Sequence, residues 1–288
     1  MFLSTYKATL KTLTRSLLLW IVIVIAFGAV MSSATSVNSS YTIVENGLPV
    51  KVVYDTDPEY VLKRQTCIQT YVNGTVSWMM LYVIPVFCVV STMLVLTRDY
   101  SDNFFEMQKS RGVKTFTSLI AKLLAILSVI TAVYLIINFV SGNYYYFSRG
   151  GVEGLTTAEH FADISSRVIR VYVTSGLPSI LVFTLFTYMC TSITKSGYAG
   201  GVLGSLYVVF VYCMEITLRS HFPQWFREYF SPQSDFSYRY WGFYGSEWHN
   251  TYMSPYTLEQ VLTWLSVMLG LVAVFSIVTY FVSRKRTI

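Results

Sequence analysis

Six stretches of apolar residues, each close to the length that crosses a bilayer, dominate the pattern of this chain. They lie at about 17–34, 76–97, 116–140, 171–193, 198–217 and 259–282, and most charged residues fall between them. A transmembrane helix needs roughly 20 predominantly apolar residues. The pattern therefore predicts an all-α membrane protein with six transmembrane helices, in which residues 1–288 form a single transmembrane domain.

A shorter amphipathic segment, residues 1–16, precedes the first span. Its apolar side chains recur at helical spacing, with most polar and charged side chains on the other face. This pattern predicts an interfacial helix that lies on the inner leaflet; the alternative is an ordinary basic flank of the first span. The apolar positions are Phe2, Leu3, Tyr6, Leu10, Leu13 and Leu17, and the polar ones are Lys7, Lys11, Thr14 and Arg15.

The distribution of Lys and Arg predicts the orientation of the chain. With the N-terminus in the cytoplasm, the inner segments hold eleven cations in about 45 residues, whereas the outer segments 35–75, 141–170 and 218–258 hold nine in about 112. Inner loops are richer in Lys and Arg in membrane proteins. We therefore expect both termini to be cytoplasmic in an integral plasma-membrane protein of the bacterial type. The net charge of +6 comes from cations whose positions fit this membrane pattern, so we do not expect nucleic acid as a partner.

The outer segments hold two patterns of their own. β-Branched runs at 41–44 and 50–53 flank a turn signal at 45–47, which predicts a small hairpin. The segment 218–258 holds fourteen aromatic residues. Because Trp and Tyr favour the membrane interface, this segment is predicted to form short helices that dip back into the outer leaflet as a re-entrant loop.

A few residues inside the spans have specific predicted roles. Lys122 lies about two turns into the third span and is expected to snorkel to the inner interface. Pro85 and Pro178 are expected to kink the second and fourth spans.

Small residues predict a close helix contact after the short turn 194–197. They form small-xxx-small pairs, which let two helix backbones approach each other. The contact is either within the chain or across a dimer seam, and the pattern leaves both open. The residues are Gly197, Gly200, Gly201 and Gly204.

Sequence motifs for catalysis and nucleotide binding are missing. The chain contains no G-x-x-x-x-G-K-[ST], H-E-x-x-H, G-x-S-x-G or C-x-x-C pattern. The spans also lack the mid-membrane acidic residues of a proton-coupled carrier. We expect no enzymatic activity and no metal or cofactor in this chain, so energy for transport must come from a partner.

The order of segments and the inner loop resemble a known family. An amphipathic N-terminal helix, six spans and a long final outer loop are similar to the permease subunit of ABC exporters of the ABC-2, or type V, class. The stretch from Phe105-Glu106 through Arg111-Gly112 to Lys122 is similar to the inner loop of that family, which has a Glu, a basic residue with Gly, and then a Lys at the start of the third span.

The resemblance implies a coupling helix in the inner loop that docks on cytoplasmic ABC ATPase subunits, and these would bind ATP and Mg²⁺. It also implies a second permease copy or paralogue, with membrane lipid around both. Coupling would fall on Phe104, Phe105, Glu106, Arg111 and Gly112, and we expect the exit region for substrate at Trp225, Trp241, Tyr244 and Trp248.

The expected function is ATP-driven export of an amphipathic substrate such as a peptide, drug or lipid. The alternative is a non-transporting membrane sensor or assembly subunit whose outer loops bind a ligand.

Overall fold

In the residues that it describes, the structure, a computed structural model, is helical apart from one β-hairpin. It describes residues 2–35, 40–45, 48–54, 79, 83–101, 112, 114–148, 157–214, 221–232 and 257–285. The helices are α1 (Phe2–Thr14), α2 (Leu17–Thr35), α3 (Ile84–Ser101), α4 (Thr115–Ser148), α5 (Thr157–Val171), α6 (Leu177–Thr194), α7 (Gly197–Tyr212), α8 (Gln224–Phe230) and α9 (Leu258–Lys285). The strands are β1 (Ser40–Glu45) and β2 (Leu48–Tyr54).

Three helical segments are long and apolar enough to cross a membrane, which confirms the class of membrane protein. They are Thr115–Ser141 in α4, Val168–Thr194 across α5 and α6, and Leu258–Arg284 in α9. The pair Phe2–Thr14 and Leu17–Met31 meets the same criterion together but is bent by 62°. Helix α7 is apolar and has 16 residues, fewer than the roughly 20 that span the hydrocarbon core. The described residues thus give three or four spans of the six predicted.

Several helices extend beyond the predicted boundaries of the spans. Helix α3 continues to Ser101, into the predicted inner loop, and α4 continues to Ser148. Helix α5 begins at Thr157, so much of the segment 141–170, predicted as an outer loop, is helical. A search for continuous apolar runs does not find these additional helical turns, because an amphipathic helix mixes polar and apolar residues along the sequence.

The outer hairpin forms as the sequence predicts. Strands β1 and β2 are antiparallel, with Tyr41 opposite Val53 and Thr42 opposite Val52. An irregularity between Ile43 and Val44 shifts the register near the turn. Residues 46 and 47 of the predicted turn lie outside the described residues.

Helix α1 is separate from α2 and packs against α4. Of its predicted apolar positions, Leu13 is buried in the bundle, whereas Phe2 and Leu3 are exposed on the surface that a membrane would cover. Thr5 and Thr9, which the prediction assigned to neither face, are buried. The Thr9 hydroxyl donates to the Thr5 carbonyl at 2.9 Å, so this polar group is satisfied inside the helix and its face can be buried. The cations of residues 1–16 are exposed, as predicted.

The two prolines lie at the starts of helices. Pro85 is the second residue of α3, in the first helical turn, where proline is well tolerated. Pro178 is the second residue of α6, which follows directly after a π-helical turn, Tyr172–Gly176. The Leu177 N–H bonds to the Tyr172 carbonyl, five residues back, so the hydrogen-bond register changes where proline removes a donor.

Among the described residues, the largest buried cluster takes side chains from every helix from α1 to α7. Phe87, Ile126 and Tyr134 are completely buried in it. A second cluster surrounds Trp264 between α6 and α9. Because α6 contributes to both clusters, it is the central helix against which α3, α7 and α9 pack.

Candidate functional site

A buried ion pair joins the helices on either side of the inner loop. Lys122 Nζ in α4 lies 2.5 Å from Asp99 Oδ2 in α3, and the two side chains are 1% and 6% exposed. The prediction that Lys122 snorkels to the interface is therefore wrong. A buried ammonium group without a counter-charge is costly. The Asp99 carboxylate, near the end of α3, supplies that counter-charge directly.

Local packing holds the pair in place. Leu96 lies one turn before Asp99, and Leu119 one turn before Lys122, and both are buried with Tyr188 of α6 in one cluster. These apolar side chains shield the ion pair and fix the distance between α3 and α4. The ion pair thus joins the last turn of α3 to the third turn of α4.

The residue before Asp99 connects the same helix to α1. Arg98 Nη1 donates to Thr12 Oγ1 at 2.6 Å. On the other side of α1, the Tyr6 hydroxyl and Ser128 Oγ of α4 lie 3.0 Å apart. Side-chain contacts therefore connect α1, α3 and α4 to one another.

The four glycines of α7 are buried against α3 and α6 of the same chain. A Cβ built on Gly197 would lie 2.5 Å from Thr97 Cα, and one on Gly200 would lie 2.6 Å from Thr191 Cα. Gly201 faces Met93 and Gly204 faces Thr187. Of the two alternatives that the sequence left open, these glycines make the contact within the chain.

The connection between α6 and α7 is a tight turn, as predicted. Helix α6 ends at Lys195, whose backbone is left-handed with φ 60°, and the N–H of Lys195 bonds to the Thr191 carbonyl. The Ser196 hydroxyl then accepts the Ala199 N–H at the start of α7. Such a cap stabilises a helix start by about 1 kcal/mol.

Two hydrogen bonds tie the end of the short aromatic helix α8 to the bundle, and because α8 lies in a segment predicted to be outside, we call them the outer anchor. The Trp264 indole N–H of α9 donates to the Ser231 carbonyl at 3.0 Å. The Ser179 hydroxyl of α6 donates to the Pro232 carbonyl. Trp264 is six residues into α9, which is about 9 Å along the helix. Side chains of α9 and α6 thus contact the two described residues that follow α8, and they satisfy the carbonyls of Ser231 and Pro232.

Only part of the predicted site lies among the described residues. Trp225 in α8 is 59% exposed and makes edge contacts with Phe226 and Phe230. Gly112 lies in a turn with φ +74°, a conformation that glycine adopts without strain. The other predicted coupling and exit residues lie outside the described residues: Phe104, Phe105, Glu106, Arg111, Trp241, Tyr244 and Trp248.

Sequence reasoning missed the ion-pair partner and both donors of the outer anchor. Asp99 lies near the end of α3, but 23 residues separate it from Lys122, and nothing in the sequence shows which acid pairs with this lysine. Ser179 and Trp264 carry no signal either, since Ser and Trp occur in many spans without a carbonyl partner.

Comparison with known proteins adds no relative. No family model, curated protein or solved structure matches the chain.

Proposed function

We propose that the chain is the membrane-spanning permease subunit of an ATP-driven ABC exporter that moves an amphipathic substrate out of the cytoplasm. In this proposal it has six spans and both termini in the cytoplasm. The observation that carries the proposal is the ion pair Asp99–Lys122 at the base of the inner loop. It ties together the two helices between which a coupling helix would sit.

The force would enter through the inner loop. ATP-driven closure of two cytoplasmic ATPase subunits would tilt the segment 104–112, and that segment would pull on α3 and α4. Because Asp99 binds Lys122 and Arg98 binds Thr12, a movement of the end of α3 would carry α4 and α1 with it. Rigid connections of this kind favour a switch of the whole bundle over a local change.

The substrate would leave through the aromatic outer loop, at the seam with a second permease copy or paralogue. The outer anchor supports this part of the proposal, because it holds α8 against α6 and α9 with Trp225 exposed. An exposed aromatic surface suits a substrate that is partly apolar. Peptides, drugs and lipids are the substrate classes that meet this requirement.

The proposal is tested by assembly with an ATPase. The tagged chain is purified in mild detergent, and an ATPase should co-elute and show substrate-stimulated turnover. The double variant Phe104→Ala/Phe105→Ala should weaken assembly by about two orders of magnitude or more, since each buried aromatic side chain contributes roughly 1.5–3 kcal/mol. Glu106→Ala should affect assembly less and reduce coupling of ATP turnover to transport.

A matched control is Phe161→Ala/Phe281→Ala, which removes two exposed phenylalanines from α5 and α9 and should leave assembly unchanged. Wild-type assembly and stimulation in the Phe104/Phe105 variant would reject the segment as a coupling helix. Purification without any ATPase, together with ligand binding to the outer loops, would favour the sensor alternative.

A further inference from the structure

An apolar groove lies between the bent pair α1–α2 and helix α4. The two helices meet at 62°, and α4 closes the concave side of the bend, leaving a volume of about 580 Å³. This is within the usual range for small-molecule sites, about 300–1,000 Å³. Most of its wall is aliphatic or aromatic, and it opens outward past Trp20, Val24 and Ile136, which are exposed.

The polar side chains of the groove are already satisfied by the protein. Tyr6 and Ser128 bond to each other, and the Trp20 indole N–H donates to the Thr14 carbonyl at 2.9 Å. The Thr14 and Ser128 hydroxyls also donate to carbonyls one turn earlier in their own helices. The groove therefore offers a ligand apolar contact and little hydrogen bonding.

The position of the groove selects among apolar occupants. The wall residues from Ser128 to Ile137 belong to the candidate span Thr115–Ser141, and those from Leu19 to Phe27 belong to Leu17–Met31. A groove at this position opens into the hydrocarbon of a bilayer. An acyl chain of a membrane lipid is the occupant that is present there at high concentration.

Cations flank the α1 end of the groove. Lys7 is one helical turn from Leu10, and Lys11 is one turn from Thr14, and both Leu10 and Thr14 line the wall. Both lysines and Arg15 are exposed. Residues 2–35 contain no Asp or Glu that would neutralise them. A headgroup at this end is attracted if it is negatively charged.

We propose that this groove is a binding site for one anionic phospholipid, with an acyl chain between α2 and α4 and the headgroup phosphate at Lys7 and Lys11. The lipid fills the concave side of the bend and holds α1 at its angle to α2. This site is independent of the proposed transport function, since it requires no ATPase.

Photo-crosslinking tests the site. The purified full chain is placed in phosphatidylcholine bilayers with a small fraction of phosphatidylglycerol that carries a diazirine on one acyl chain. Crosslinks should map to residues 19–27 and 128–137. Ala132 lines the groove and is exposed, so Ala132→Phe should fill it and lower this yield severalfold without disturbing the core. Val140→Phe, at an exposed position of the same helix outside the groove, should not.

The headgroup is tested with a phosphatidylcholine probe that carries the same diazirine. It should crosslink roughly tenfold less, because each cation near the surface attracts an anionic lipid. Lys7→Gln/Lys11→Gln should remove that difference, whereas Lys114→Gln/Lys195→Gln, which removes two exposed cations elsewhere, should keep it.

Three results would overturn the proposal. One is equal yield in Ala132→Phe and Val140→Phe. Another is equal yield from the two probes with wild-type protein, which would leave only a non-selective lipid belt. The third is crosslinking of two chains to each other through the groove residues, which would make the groove a protein interface.

Discussion

Arg98 and Asp99 are neighbours in the sequence, but their side chains bind different helices. Arg98 donates to Thr12 in α1, and Asp99 pairs with Lys122 in α4. Consecutive residues of a helix point about 100° apart, so one turn of α3 can contact two neighbouring helices at once. At the scale of residues, these two side chains connect the end of α3 to α1 and to α4.

Removing one partner of the ion pair should destabilise the protein strongly. Asp99→Asn and Lys122→Met should each lower the free energy of unfolding by about 3–5 kcal/mol, because the remaining charge stays buried. The double variant Asp99→Leu/Lys122→Met should recover most of the loss, since apolar pairs replace buried ion pairs at little cost. Thermal unfolding of the purified chain in detergent measures both effects.

Lys114→Met is the matched control, because Lys114 is an exposed cation just before α4. It should unfold at the wild-type temperature. A double variant no more stable than the singles would show that the pair is needed for more than mutual neutralisation.

Residue patterns predicted part of this site and not the rest. The lysine in the third span was visible because a charge in an apolar run stands out. Its pairing was not, because Asp99 and Lys122 are brought together only by the packing of α3 on α4. The burial of Thr5 and Thr9 in α1 was not predicted, because threonine reads as polar, although Thr9 satisfies its hydroxyl within the helix.

At the scale of elements, the contact of α7 with α3 and α6 is the closest approach of helices described above. Small residues on α7 meet threonines on both neighbours, and side-chain hydroxyls such as Thr187 and Thr191 bond to carbonyls of their own helix. Van der Waals contact between backbones therefore dominates this interface, as in other membrane helix pairs.

Adding one methyl group at this interface should separate the helices. Gly200→Ala would place a Cβ against the backbone of Thr191 and should destabilise the chain by about 1–3 kcal/mol. Gly270→Ala in α9 is the matched control, because no atom lies within 4 Å of its added Cβ. This control should be neutral or slightly stabilising, since alanine favours helix. Equal melting temperatures for the two variants would contradict the close contact.

Helix α8 carries a second prediction at this scale. The residues that follow α8 bond to Ser179 of α6 and to Trp264, which is six residues into α9. Trp225 should therefore sit in the outer lipid interface. The fluorescence lost in Trp225→Phe should be quenched more by lipids brominated at a shallow acyl position than by aqueous iodide. The reverse ranking would place α8 in water.

Helices and the hairpin were predictable because apolar runs and a turn signal are local in sequence. The break between α1 and α2 was also predictable, because residues 1–16 were predicted as an interfacial helix separate from the first span, and the two helices are bent by 62°. The π-helical turn before Pro178 was not, because a change of hydrogen-bond register leaves no mark on composition.

At the scale of the whole molecule, the described residues form one bundle around α6, with three helical segments long enough to span a membrane. The hairpin β1–β2 and helix α8 both lie in segments that the cation distribution places outside. The orientation itself follows from that distribution and is open to direct measurement.

Labelling with an impermeant thiol reagent tests the orientation. In a background without the four native cysteines, Cys introduced at positions 39, 148 and 234 should react in intact cells, because these positions are predicted to be outside. Lys195→Cys should react only after the membrane is opened. Labelling of Lys195→Cys alone in intact cells would invert the topology.

The glycine contacts of α7 also bear on how the chain is made. Each side chain that meets these glycines, from Met93 and Thr97 to Thr187 and Thr191, is synthesised before α7 leaves the ribosome. A helix of 16 residues with four glycines gains little by entering lipid alone. The surface on which α7 docks is therefore complete when α7 emerges, and α7 can insert together with α6 as a helical hairpin. Synthesis from the N-terminus thus provides the order of assembly that this short helix requires.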